Sequence, residues 1–229
     1  MIHIRDLEFR YGQKPVFNRL NLHISNGSIS GLLGLNGAGK TTLLRLLCGQ
    51  LFPHEGLVDV LGFTPAKRQA DFLREIYYVP DELFLPDMTG TTYVKMLTPF
   101  YPRFDHEYFD KLCQEFELDN TRKLPAYSYG QQKKFILAFG LATMASLLLM
   151  DEPTNGLDIP SKTQFRRAVS AAITPERAFV ISTHQVRDLE NLIDPIIIVH
   201  NGHIIFHQDT ESIASQYSLN HEFGSQEPQ

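Results

Sequence analysis

The octapeptide GLNGAGKT, Gly34–Thr41, constrains the fold of this chain more than any other stretch. It lies between an apolar run, SISGLLGL, and a second one, KTTLLRLLCGQL, that has helical character and closes on Gly49. Two glycines, a lysine and a threonine at this spacing, between a strand and a helix, form a phosphate-binding loop. The glycines let backbone N–H groups close around phosphate oxygens, and the helix N-terminus adds a favourable dipole. Lys40 is placed to neutralise the β- and γ-phosphates, and the Thr41 hydroxyl to bind Mg²⁺. A chain with such a loop is expected to be α/β, with its ligand at the carboxyl end of a parallel strand.

The remaining pattern agrees. IHIRDLEFRY and PVFNRLNLHI alternate at about period two, and GLVDVLGF and REIYYVP are further strand candidates. From about Leu83 the pattern becomes helical. Asp105 is a cap candidate, with Phe109, Leu112 and Phe116 on one helix face. Helix GQQKKFILAFGLA, strand LLLMD, helix IPSKTQFRRAVSAAI, strand AFVIST, helix QVRDLENLI and strands PIIIVHNG and HIIFHQ follow. Strands alternating with helices predict a mainly parallel sheet covered on both sides. At 229 residues the chain fits a single domain over 1–229, with a helical subdomain at about 83–145 and a polar, frayed tail at about 220–229.

Composition excludes several classes. A net charge of −5 provides no basic field, so no nucleic-acid partner is expected. Cys48 and Cys113 lack metal-ligand spacing and read as buried free thiols in a reducing cytoplasm. The first residues carry charges and no signal-peptide core. FILAFGLATMASLLLM, residues 135–150, is uncharged but shorter than the roughly 20 residues that span a bilayer. It reads as a buried helix followed by a buried strand.

LLLMDEP, Leu147–Pro153, is an apolar strand ending in two carboxylates. Beside a phosphate loop, Asp151 is placed to hold Mg²⁺ through water, and Glu152 to act as general base or water-positioner.

GLNGAGKTT, YSYGQQKK, LLLMDEPTNGLD and VISTH, in this order and spacing, resemble the nucleotide-binding subunit of an ABC transporter over essentially the whole chain. The resemblance implies a P-loop NTPase of the ABC ATPase type, with an N-terminal antiparallel β subdomain beside the parallel sheet. It implies ATP and Mg²⁺ as ligands, with Gly34, Asn36, Gly37, Ala38, Gly39, Lys40, Thr41 and Thr42 around the phosphates. Glu152, His184 and Lys40 take catalytic places, His184 as the switch histidine at the γ-phosphate; a structural histidine is the alternative. Tyr11 matches the aromatic that stacks on adenine, or else is a core aromatic at a strand end. Gly156, Leu157 and Asp158 match the loop that crosses to a second subunit.

Ser128, Gly130 and Gln131 fall in the family's signature segment, which caps the γ-phosphate held by an opposite subunit. The resemblance therefore implies a homodimer with ATP bound. Tyr129 stands where the family has glycine and is expected to hinder close approach. Asp81 stands where the family has glutamine. It is either a water-mediated Mg²⁺ ligand or a plain turn residue. The aromatic stretch between Asp81 and Ser128 is expected to supply a groove for a separate transmembrane permease subunit, or the core of the helical subdomain. The implied protein is cytoplasmic, peripheral on the inner face of the membrane, and more like the exporter-type branch. A non-transport ATPase of the same fold, or a regulatory module with little hydrolysis, are the alternatives.

Overall fold

The computed structural model describes residues 1–189 and 191–209, so the tail expected over 220–229 lies outside the described residues. The chain opens with strands β1 (Ile2–Tyr11), β2 (Lys14–Ile24) and β3 (Ile29–Leu33), then helix α1 (Lys40–Leu47). Strand β4 (Glu55–Val60), helix α2 (Ala70–Arg74) and strand β5 (Ile76–Val79) follow. Three helices come next, α3 (Gly90–Leu97), α4 (His106–Glu115) and α5 (Tyr129–Ala142). Then β6 (Leu147–Asp151), α6 (Ile159–Ala172) and β7 (Ala178–Thr183) alternate before a hairpin of β8 (Ile196–His200) and β9 (His203–Gln208).

Two sheets form. One is antiparallel, ordered β2-β1-β4; the other is six-stranded, ordered β5-β6-β7-β3-β8-β9, with only β9 antiparallel. Every residue of β3, β6 and β7 is buried, as expected for parallel strands covered on both faces. Side chains of β6 alternate between two cores. Leu148 and Met150 face α5 and α6, and Leu147 and Leu149 face α1 and the antiparallel sheet. This period of two holds Asp151, at the strand end, level with Ser182 of β7.

The expected α4 face is observed: Asp105 caps the helix, and Phe109, Leu112 and Phe116 are buried. The apolar run 135–150 divides as predicted into a buried helix end and a buried strand. No helix among the described residues is long and apolar enough to cross a membrane. Both cysteines are buried free thiols, each pushed up to about 11 by desolvation.

One stretch differs from the sequence expectation. QVRDLENLI, expected as a helix, shows among its described residues only a single 3₁₀ turn at Val186–Leu189. Asn191 adopts a left-handed φ of 60°, and Pro195 disfavours helix at Asp194, so a helical register is not sustained. The stretch expected to turn helical from about Leu83 does hold α3. Its start is set by Thr89, whose side chain accepts from the Thr92 N–H.

Candidate functional site

Helix α1 has an N-terminus unlike those of α3 to α6. Thr89, Asp105, Ser128 and Asp158 cap α3, α4, α5 and α6 with side-chain acceptors. At α1 the N-cap is Gly39, which has no side chain to offer and sits at φ 107°. The first-turn N–H groups are therefore left for an acceptor from outside the helix. Four buried leucines, Leu43, Leu44, Leu46 and Leu47, fix α1 in the core so that this end stays in place.

Lys40 is buried and points back into the loop, where its Nζ donates to Gly34 O at 2.8 Å and Leu35 O at 3.3 Å. The same Nζ lies 3.3 Å from Glu152 Oε1. The other Glu152 oxygen, Oε2, lies 2.9 Å from His184 Nδ1 and accepts from the His184 N–H at 3.4 Å. Lys40, Glu152 and His184 thus form one chain of contacts from the start of α1 to the ends of β6 and β7. Asp151 is only 1% exposed. Its Oδ1 accepts from Ser182 Oγ at 2.6 Å and its Oδ2 from Tyr78 OH at 3.2 Å, which fixes the carboxylate plane. Burial and the Asp151 charge keep the Tyr78 phenol protonated as a donor.

Two clefts meet here. One, of about 560 Å³, is lined by Tyr11, the loop residues Asn36–Thr42, Asp81 and Glu152. The other, of about 570 Å³, is lined by Thr41, Tyr78, Asp81 and Asp151. Thr41 and Asp81 border both. The Tyr11 ring is 49% exposed at the rim, and its hydroxyl is 3.4 Å from Thr42 Oγ1, so it is not a core aromatic.

Ser128, Gly130, Gln131 and Asp158 line neither cleft. Ser128 and Gln131 form a reciprocal capping box at the start of α5, and Asp158 caps α6. Tyr129 does not project freely. Its hydroxyl donates to Asp81 O at 2.9 Å, and its ring packs against Gly156. Asp81 Oδ1 is 3.3 Å from Lys133 Nζ and accepts from Asn155 Nδ2 at 3.5 Å.

Comparison with known proteins decides what this arrangement belongs to. The model of the ABC transporter family matches residues 17–155. The chain is 31% identical to the uncharacterized ABC transporter ATP-binding protein YdbJ of Bacillus subtilis, covering 89% of this chain and 68% of that protein. It is 30% identical to the ABC transporter ATP-binding protein NatA of the same organism, covering 93% and 91%. A solved ATP-binding cassette, dimeric and bound to ADP and Pi in a post-hydrolysis state, superposes with a TM-score of 0.79 at 20% identity, covering 91% of this chain and 98% of that one.

The chain belongs to the ABC transporter family. It is an ATP-binding domain of that family, with the mixed sheet architecture expected of one. Within this ABC domain, sequence reasoning missed Tyr78, Ser182, Lys133 and Asn155, the side chains that hold Asp151 and Asp81. Each is bonded to a carboxylate between 31 and 74 residues away in sequence. A cleft borders the aromatic stretch between Asp81 and Ser128, whose Tyr93, Leu97 and Tyr101 also pack against the core. Its walls are Tyr93, Leu97, Pro99, Phe100 and Tyr101 on one side and Arg68, Leu73, Arg74, Tyr77 and Tyr78 on the other, enclosing about 720 Å³. Nine of its fourteen lining residues precede Asp81, Tyr77 and Tyr78 on edge strand β5 among them.

Proposed function

We propose that this ABC ATP-binding subunit hydrolyses ATP with Glu152 as the residue that accepts or orients the proton of the attacking water, and powers a separate membrane-spanning subunit. The observation that carries this reading is the position of Glu152 between Lys40 and His184. Lys40 is shared between two loop carbonyls and Glu152, and the oxygens of a triphosphate compete for the same cation. Once Lys40 serves the phosphates, Glu152 keeps His184 as its partner and has an oxygen available for water. Tyr11 at the rim suits the adenine ring, and the uncapped α1 end suits the phosphates.

The oxygen donors fit a hard divalent cation: Thr41 and Asp151 line one cleft, and Ser182 and Tyr78 orient the carboxylate. Thr41 would hold Mg²⁺ directly and Asp151 through water, with Asp81 at the border. When bound, Mg²⁺ neutralises charge on the β- and γ-oxygens.

The outward-facing signature segment supports an ATP-bound homodimer in which Ser128, Gly130, Gln131 and Asp158 complete the partner's site. Gly130 is not required by this chain's own packing, since a Cβ there would meet only Leu157 at 3.6 Å. The aromatic groove, with Phe100 in its wall 63% exposed, suits the permease, and binding there would hold the protein at the inner membrane face.

Glu152→Gln tests the reading. It keeps size and hydrogen bonding, so MgATP binding by calorimetry is retained. Steady-state turnover is expected to fall by about 10²–10⁴, with dimer accumulating in sedimentation. Turnover near wild type would remove Glu152 from this role.

A further inference from the structure

Lys133 is the only lysine besides Lys40 that is buried among the described residues, at 3% exposure. Lysine is almost never buried so fully without a partner. Its Nζ donates to Glu152 O at 2.9 Å, lies 3.3 Å from Asp81 Oδ1, and stands 5.2 Å from the centroid of the Tyr129 ring. Burial pulls the ammonium downward, and Asp81, then Glu152 and Asp151, oppose that shift.

The carbonyl it holds belongs to an unusual backbone. Glu152 has φ 44°, the left-handed region that a non-glycine residue adopts only when its surroundings impose it. Its N–H is held by Ser182, through O at 3.2 Å and Oγ at 3.0 Å. Its C=O is held by Lys133 and by the Asn155 N–H at 3.1 Å. The left-handed turn is what carries the Glu152 side chain off the strand direction toward Lys40 and His184. Ser182 holds the N–H on one side of this residue, and Lys133 is the side chain that holds the C=O on the other.

We propose that Lys133 is a positioning residue for hydrolysis: by gripping the Glu152 carbonyl it maintains the left-handed turn that aims the Glu152 carboxylate, with Asp81 as its counter-ion. This deepens the ATPase reading and rests on it. It also gives Asp81 a second task, joining the segment after β5 to the first turns of α5 through one ammonium.

The experiment uses the full chain with Lys133→Met, Lys133→Gln and the double variant Asp81→Asn/Lys133→Met. For Lys133→Met, kcat is expected to fall by roughly tenfold to a hundredfold while KM for ATP stays within about twofold, since the phosphate loop is untouched. Lys133→Gln keeps a donor on a shorter chain and should lose less; it also reports if Lys133→Met does not fold. Removing the stranded charge in the double variant should restore part of the lost Tm but not kcat. Amide hydrogen exchange across 152–157 should quicken in Lys133→Met without nucleotide present. Unchanged kcat, or kcat that returns together with Tm in the double variant, overturns the proposal. Unchanged exchange also overturns it. Quickened exchange in a protein whose wild type does not hydrolyse ATP would instead remove the ATPase reading and leave the positioning role standing.

Discussion

The N-termini of α1 and α5 are both suited to bind a phosphate, yet they are built in opposite ways. At α1 the cap is a glycine with no acceptor, and its backbone is forced to φ 107° against Phe17 and Val16. At α5 the cap is Ser128, already bonded to the Gln131 N–H at 3.3 Å, while Gln131 returns a bond to the Ser128 N–H at 3.0 Å. One end depends on the ligand for its hydrogen bonds and on tight packing for its shape. The other is satisfied within its own chain and exposed. The difference fits the proposed function, in which the first end binds phosphate within one chain and the second adds contacts only when a second copy arrives.

Gly39→Ala gives the largest expected effect. The new Cβ would sit 2.9 Å from the Phe17 ring and at a positive φ. The strain and overlap together should cost about 2–4 kcal/mol in urea unfolding and abolish tight ATP binding. Ser128→Ala removes the α5 cap and should cost about 1 kcal/mol, read the same way. Gly130→Ala is the smallest and has the opposite sign. With only Leu157 nearby, the added methyl should stabilise the monomer by about 0.5 kcal/mol. It should weaken ATP-dependent dimerisation in sedimentation, because the bulk faces the incoming copy. Equal costs at Gly39 and Gly130 would break the contrast between the two ends.

Tyr129 sharpens the same comparison. The sequence suggested an obstacle at the signature; the structure shows a ring resting on Gly156 and a hydroxyl bonded to Asp81 O. Tyr129→Phe removes that one exposed bond, so a loss of only about 0.5–1 kcal/mol is expected by thermal unfolding. A larger loss would mean that the Asp81 segment depends on Tyr129 rather than on Lys133.

The phosphate loop and the Asp151–Glu152 pair were legible in the sequence because each is contiguous. A strand, a turn and a helix start are specified by neighbours along the chain. Lys133 was not legible. It sits next to Lys134, and nothing in a run of two lysines distinguishes the buried one from the one that reaches Gln164 on α6. Only the rotation of α5 against β6 decides it. Ser182 was hidden for a related reason: it looks like any strand serine until the pairing of β6 with β7 sets it beside Asp151. The failed helix at 185–193 shows the reverse case, where an apolar period was present but Asn191 and Pro195 prevented its use.

The sequence by itself determined the class of fold and the family, and it marked the phosphate loop and the carboxylate pair proposed here to act on ATP, since these rest on short-range spacing. Only the tertiary structure decided how those groups are held: Asp151 by Tyr78 and Ser182, Glu152 by Lys133, and Asp81 by an ion pair 52 residues distant. The physical reason is that hydrogen bonds and ion pairs depend on ångström-scale distances. Those distances are set by strand register and helix rotation, which pack the chain as a whole.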